Sequence, residues 1–373
     1  MRKILYLNNF MTETVMKSRK NQNIYSQPAN NKIAGITEAL TTNNCEVKIL
    51  SSGLVNSKSG RFYKGMKERA LNVEVFYCPI LDVPLINIIS SILFTYRQIK
   101  KENAERKVDN IIFYNYKPEV AWAAWLAKKK LGIPITVEYE DGYAHVSEIH
   151  GLKARIFNFT EEKVKKCVDS AILVNSHLKK HYSVPSVIVR GIVNKDFFRK
   201  CKEYEKKKNS KFMILYAGGL DKERGIGIFL ESLKYNDLDC NVIISGKGDI
   251  LCDDSRVEFK GFIPYEEVQQ LLMQSDLLVQ CQLSQNAFAN ASFPSKLFEY
   301  IATGNTIVSS DIDEVKKFAG DAFVYYENDD PKKLAEAIKL VYNGREQLKE
   351  KIDTLCKNNM PEAVGKDIMK ILR

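Results

Sequence analysis

Histidine and paired cysteine are scarce in this chain. Four histidines (His145, His150, His177 and His181) occur in 373 residues, and the eight cysteines (Cys45, Cys78, Cys167, Cys201, Cys240, Cys252, Cys281 and Cys356) are scattered, with no C-x-x-C pair. A zinc finger and a disulfide-stapled scaffold are thereby excluded, and reduced thiols in a cytoplasmic protein fit the pattern. Long apolar runs are also missing. The longest weakly charged stretch, "VFYCPILDVPLINIISSILFTY" from Val75 to Tyr96, is interrupted by Pro79, Asp82 and Pro84 and falls short of a spanning helix. "MRKILYLNNF" has too short an apolar run and no small-residue cleavage site for a signal peptide, so it reads as a first strand. The sequons at Asn158 and Asn290 are then expected to be accidental. There is no arginine-rich helix and no aromatic-studded basic strand, which argues against nucleic acid as a partner.

What the chain does have is positive charge: 56 Lys+Arg against 46 Asp+Glu, a net +10. Either an anionic partner, such as an acidic membrane surface or a phosphorylated small molecule, or dispersed surface lysine accounts for it. With 45% hydrophobic residues the chain can bury a core, and its length suggests two domains. Within the long stretch above, "INIISSILFTYRQIKKENAERK" reads as a helix with an apolar start and a basic end. That composition suits a core helix or one lying on a membrane interface.

Apolar, β-branched runs alternate with amphipathic stretches almost throughout. Strands are expected at "KILYLN", "EVKILSS", "VEVFYC", "NIIFYN", "ITVEYE", "SAILVN" and "SVIVR", with helices at "NKIAGITEALTTN", "PEVAWAAWLAKKKLG" and "LKARIFNFTEEKVKKC" between them. The pattern stops in a polar, lysine-rich segment and restarts at "FMILYAGG". This predicts an α/β protein of two doubly wound domains: residues 1–195, a linker over 196–211, and residues 212–356, with a C-terminal helix of about 357–373 that can pack back on the first domain. In such sheets ligands bind beyond the carboxyl ends of the strands.

Several loops at those ends could carry chemistry. "ILYAGGLDKERGIGIFLESL" places Gly218 and Gly219 after a strand and Gly225 at a helix start, with Arg224 able to meet a phosphate; a tight turn with a surface arginine is the alternative. Gly246, in "IISGKGDI", marks a turn rather than a dinucleotide fingerprint, and it stands with Gly218 and Gly219 among the donor-binding candidates. Asp311 and Asp313 read as turn and N-cap residues rather than metal ligands, and His177 and His181 as a solvated helix face rather than a metal pair. In "EYEDGYAHVSEIHG" strand alternation puts Glu138 and Glu140 on one side and Asp141 on the other. His145 follows just beyond the strand end. These are candidates for general-base work or for binding sugar hydroxyls, or else loop acids.

In order, "YAGGLDKERGI" (from Tyr216), "IISGKG", "VEFKGFIPYEEVQQLLMQSDLLV", "FPSKLFEYIATGNTIVSSDI" and "DPKKLAEAIKLVYN" resemble the GT-B glycosyltransferases of the retaining GT4-like group. "DSAILVNSHLKKHY" and "VIVRGIVNKDFF" resemble the segment before that family's linker. The "PSKLFEY" helix is similar to variants among polysaccharide-assembly enzymes. The resemblance implies a GT-B fold, two Rossmann-like domains facing each other across a cleft. It implies that Glu299 binds the ribose of a nucleotide, that Arg224 stands where a diphosphate-binding lysine is usual, and that Phe262 and Ile263 face the base. Ser292, Phe293, Pro294, Ser295 and Lys296 would meet the phosphate and donor sugar. The departures are Ala291 where a first glutamate is usual, Gly219 where an arginine is usual, "SQPANNK" in place of a Gly-Gly loop, and Glu140 in place of a histidine.

The implied activity is metal-independent, retaining transfer from a nucleotide diphosphate sugar, expected to be a uridine one, to a glycan or lipid-linked glycan. No cofactor is expected. Arg224, Lys296, Glu140, Asp141 and His145 are the catalytic candidates, and helix-start N–H groups would add to the charge stabilisation. Asn30, Asn31 and Tyr143 are acceptor-binding candidates, and Lys17, Arg19 and Lys20 are candidates to meet a phosphorylated acceptor at the inner face of a membrane. The missing acid at Ala291 keeps open a catalytically silent binding or partner subunit, and a sugar-nucleotide epimerase is a further alternative.

Overall fold

A computed structural model describes the chain except for residues 20–26, 54–59, 141–150, 207–210, 250–251, 286–292, 345–347 and 373. The chain divides into two units, Met1–Ile192 with Pro361–Arg373, and Val193–Met360.

In the first unit the apolar runs become β1 (Arg2–Asn8), β2 (Cys45–Ser51), β3 (Phe62–Tyr63), β4 (Met66–Ala70), β5 (Val73–Tyr77), β6 (Ile80–Leu81), β7 (Asn110–Tyr114), β8 (Ile135–Tyr139), β9 (Ser170–Leu173) and β10 (Ser186–Ile188). The helices are α1 (Glu13–Ser18), α2 (Gln27–Thr42), α3 (Ile86–Glu105), α4 (Pro118–Leu131) and α5 (Gly151–Lys165). The main sheet runs β10-β9-β8-β7-β1-β2-β5-β4, parallel except where β4 pairs antiparallel with β5. Ile4, Leu5, Tyr6 and Leu7 of β1 are all fully buried, because helices cover both faces of a parallel sheet. Ile4 and Tyr6 pack into the core on one face, and Leu5 and Leu7 into the core on the other. Local signals set the helix ends: Pro118 opens α4, and Gly132, at φ 68°, closes it in the left-handed region.

The second unit holds β11 (Phe212–Ala217), β12 (Cys240–Ser245), β13 (Val257–Gly261), β14 (Leu277–Gln280), β15 (Thr306–Ser310) and β16 (Val324–Tyr326). Its helices are α6 (Lys195–Glu203), α7 (Ile226–Ser232), α8 (Tyr265–Gln274), α9 (Leu297–Thr303), α10 (Asp313–Ala319), α11 (Pro331–Tyr342) and α12 (Lys349–Asn358). The sheet order is β13-β12-β11-β14-β15-β16, all parallel. In sequence order this is 3-2-1-4-5-6, the doubly wound arrangement in which the direction of winding reverses between the first and fourth strands. The last helix, α13 (Pro361–Ile371), belongs to the first unit and packs on α2. A Cβ at Gly365 would lie 2.1 Å from the Ala39 carbonyl oxygen, so only glycine permits that approach.

Two expectations are corrected. The stretch read as a linker over 196–211 contains α6, whose N-cap Asn194 accepts the Phe197 N–H at 2.8 Å and whose Phe197 is buried. Phe197, Phe198 and Cys201 fall at helical spacing, but the surrounding lysines give the segment the overall polarity of a linker in the sequence. The division into units falls at Ile192/Val193 and Met360/Pro361 rather than at 195 and 356. Strands β3, β4 and β6 were not anticipated: two are two residues long, and β4 is a half-exposed edge strand with the sequence MKERA.

Candidate functional site

The reversal point of the second sheet lies between β11 and β14, and the glycine loop follows β11 directly. Gly218 N–H donates to the Ser245 carbonyl at 2.9 Å, tying that loop to the end of β12. A Cβ on Gly246 would lie 1.7 Å from the Gly218 carbonyl oxygen, and one on Gly225 would lie 1.7 Å from that of Cys281. Gly225 also sits at φ 70°. These two glycines therefore bring the loops after β11, β12 and β14 into backbone contact, which is the structural-turn role read for Gly246. Asp221 caps the short turn Lys222–Arg224: it accepts the Arg224 N–H at 3.1 Å and holds a carboxylate oxygen 3.8 Å from the guanidinium Nε. The Arg224 side chain is half-exposed.

Lys296 projects toward this loop from the position preceding α9. Its Nζ lies 4.2 Å from the centroid of the Tyr216 ring and 5.6 Å from that of Tyr300, and a Cβ on Gly218 would be 3.6 Å from it. The rings supply the cation with a π-face but no counter-charge. Burial pushes the Lys296 ammonium down to about 8, with the positive Arg224 acting in the same direction. Among the causes that oppose this is Glu299, in the first turn of α9. Burial raises the Glu299 carboxyl above its ordinary value, while the Tyr265 hydroxyl, donating to Oε1 at 2.5 Å, and Lys296 hold it down. Tyr265 opens α8 directly after the loop bearing Phe262, which is 85% exposed, and Ile263. One edge of the second unit thus presents two cations, a carboxylate with an aromatic donor, and an exposed aromatic.

Other candidates are placed differently. Phe293 and Pro294 are buried, and Phe293 stacks edge-on against Phe318 at 5.1 Å, so its side chain serves the core rather than a ligand. Ser295 is exposed, and Ser292 lies outside the described residues. The N–H groups of Leu297, Phe298 and Glu299 donate to the carbonyls of Pro294, Ser295 and Lys296, so the helix-start donors expected for a phosphate are already engaged. Asp311 lies 3.7 Å from Lys316 and Asp313 2.7 Å from Lys317. His177 and His181 lie in a 3₁₀ turn, Ser176–His181, where the α-helical spacing of a ligand pair does not apply. Among the described residues no group of three or more His, Cys, Asp or Glu side chains is placed to hold a metal ion.

In the first unit Glu140 lies just beyond the carboxyl end of β8. Its carboxylate is 2.8 Å from Lys32 Nζ, which also donates to the Val189 carbonyl at 2.6 Å. Glu138, on the same side as expected, is fully buried; it accepts the Tyr6 hydroxyl through Oε2, and its Oε1 has no hydrogen-bond partner among the described residues. Burial, then the neighbouring Glu140, push the Glu138 carboxyl well above its ordinary range.

Asn30 clamps the Met11 backbone through both amide atoms, at 2.7 and 3.3 Å, so its side chain holds a loop and is not free for an acceptor. Asn31 is exposed and accepts from Gln27 at 2.7 Å. Asp141, Tyr143, His145 and Lys20 lie outside the described residues. Arg19, expected on the surface, is 3% exposed and donates to the carbonyls of Gly53 and Cys78 at 2.6 and 3.0 Å; Lys17 is exposed beside Glu13. Sequence reasoning missed Tyr265, Tyr216 and Lys32. Each acts through a partner distant in the chain, which no local spacing reveals.

Residues 197–359 match the family described as Glycosyl transferases group 1. The chain carries a glycosyltransferase domain. No curated protein matches this chain. Its fold is similar to that of a glycosyltransferase from Rickettsia africae ESF-5 (TM-score 0.67, 14% identity, covering 100% of this chain and 97% of that one). It is also similar to sucrose-phosphate synthase from Thermosynechococcus elongatus (0.65, 12%, 99% and 98%) and to HepE from Anabaena in complex with UDP (0.62, 13%, 99% and 99%). With two doubly wound units, these likenesses identify the fold of the glycosyltransferase as GT-B.

Proposed function

We propose that this glycosyltransferase moves a sugar, with retention of anomeric configuration and without a metal, from a uridine diphosphate sugar to a glycan or lipid-linked glycan in surface polysaccharide or glycoconjugate assembly. The observation that carries the reading is the convergence of Lys296 and Arg224 on the Gly218–Gly219 loop beside the Glu299–Tyr265 pair. As the glycosidic bond to the diphosphate breaks, negative charge grows on the leaving oxygen. Two cations at a partly desolvated loop then bind the transition state more tightly than the ground state. Glu299 accepts from ribose hydroxyls, and exposed Phe262 offers a face on which a base can stack. UDP in the Anabaena structure supports the choice of nucleotide. The GT4-like resemblance supports retention, and because no side-chain nucleophile is evident among the described residues, that retention would proceed by attack of the acceptor hydroxyl from the face the diphosphate leaves. Glu140, paired with Lys32 at the end of β8, is the carboxylate assigned in this reading to receive the acceptor's proton.

Incubation with a panel of nucleotide sugars, with and without glycan acceptors, tests this by nucleotide release, and the anomeric configuration of the product by NMR. Release from a uridine donor that needs an acceptor, survives chelation and yields the retained anomer is the expected result. Nucleotide binding without turnover on any donor would overturn it, as would an inverted product.

A further inference from the structure

Helix α3 turns polar residues toward the sheet and apolar ones outward. Its buried face carries Ser91, Thr95 and Glu102 beside Ile99, with Glu102 satisfied by Lys3 and Lys48. Its outer face begins with Ile86, Ile89 and Leu93, at spacings of three and four residues, and continues on the same stripe with Arg97 and Lys100. Leu85, just ahead of the helix, and Phe62 of β3 extend the patch: these five apolar side chains are each 46–58% exposed. Phe62 lies 6.0 Å from Phe94 of α3, and the Arg97 guanidinium stands 5.7 Å over the Phe94 ring, which joins the strand and the helix into one surface. Leu85 is held at φ 63°, a strained conformation for leucine, and its side chain is more than half exposed.

Scattered exposed leucines are ordinary, but a contiguous apolar stripe running into a basic one is not. From Gly60 to Gly65 and from Pro84 to Lys101 the chain has no Asp or Glu, while Arg61, Lys64, Arg97, Lys100 and Lys101 are all exposed. A second copy of the chain on this face would oppose like charges, so self-association is disfavoured. No described helix is long and apolar enough to cross a membrane. An apolar edge that dips into an interface while flanking cations meet headgroups is the chemistry of an anionic bilayer surface.

We propose that the face formed by Phe62, Leu85, Ile86, Ile89 and Leu93 docks the first unit on an anionic lipid bilayer, with Arg61, Lys64, Arg97 and Lys100 at the headgroups. This surface replaces the expected one at Arg19, and it stands independently of the reading of the donor site. Flotation with phosphatidylcholine vesicles, with and without phosphatidylglycerol, tests it at low and high salt. The protein is expected to float with the anionic vesicles at low salt and to be released by high salt. Ile89→Asp with Leu93→Asp, and separately Arg97→Glu with Lys100→Glu, should each lower the bound fraction about tenfold while melting temperature and nucleotide binding stay unchanged. The charge-reversal pair keeps the test decisive if the first pair misfolds. Failure to float at low salt, unaltered flotation of both variants, or a dimer in sedimentation velocity that Ile89→Asp abolishes would overturn the proposal.

Discussion

The Lys296 ammonium lies 4.2 Å from the centre of the Tyr216 ring, and the Tyr216 hydroxyl donates to the Gly219 carbonyl at 2.7 Å. One tyrosine therefore both shapes the glycine loop and supports the cation that faces it. Lys296→Ala should lower kcat/KM roughly 100- to 1,000-fold, the usual cost of a lost charge-stabilising contact, and Arg224→Ala, at a half-exposed position, about tenfold. Steady-state kinetics on the preferred donor checks both.

The same lysine makes binding depend on pH. Its pKa is pushed down to about 8, so it carries its charge below that pH and loses it above. Nucleoside diphosphate affinity, measured by calorimetry, should be greatest below pH 8 and fall as pH rises through it, by up to about tenfold per unit. Stability runs the other way: between pH 8 and the ordinary lysine value of 10.5 the unfolded chain binds more protons than the native one, so the native state gains stability as pH rises. Lys296→Met should melt higher than the parent protein at pH 7 and lack that dependence.

Glu299 and Tyr265 should act as a pair. Glu299→Ala should weaken uridine nucleotide binding by about 1.5–3 kcal/mol, the range for a hydrogen bond to a charged group. Tyr265→Phe removes a hydrogen bond that holds the Glu299 carboxyl down, so the acid limb of the binding profile should move to higher pH. A limb that stays in place would separate the two residues.

Gly225→Ala places a Cβ 1.7 Å from the Cys281 carbonyl oxygen at a left-handed φ. We expect a loss of stability on the order of 3 kcal/mol or more in denaturant titration.

In the first unit, the native state holds a proton on Glu138 that the unfolded chain releases above the ordinary carboxylate value of 4.5. Stability should therefore fall as pH rises from 4.5 toward neutrality. Glu138→Gln should flatten that slope in thermal melts and stabilise the protein at pH 7 and above.

Glu140→Gln should lower turnover with the acceptor and leave nucleotide binding unchanged, because Glu140 and the Lys296 site belong to different units. An equal loss of nucleotide affinity would show that Glu140 does not act on the acceptor side.

The alternation of β-branched runs with amphipathic helices was enough to foresee both doubly wound sheets, because strands buried on two faces must be apolar nearly throughout, as in "KILYLN" and "FMILYA". The ordered motifs from Tyr216 to Glu299 were legible because their residues are neighbours in sequence. Folding decided what depends on distant partners. Tyr265 reaches Glu299 across 34 residues, and Lys32 holds Glu140, 108 positions away, from a separate helix. Arg19 illustrates the limit: its charge marks it as a surface residue, yet the carbonyls of Gly53 and Cys78 satisfy its guanidinium in the interior. Helix α3 had a composition suited either to a core helix or to one on a membrane interface, and its rotation about its axis turns Ile89 and Leu93 outward. Periodicity shows that a helix has two faces; only packing against the sheet decides which one is buried.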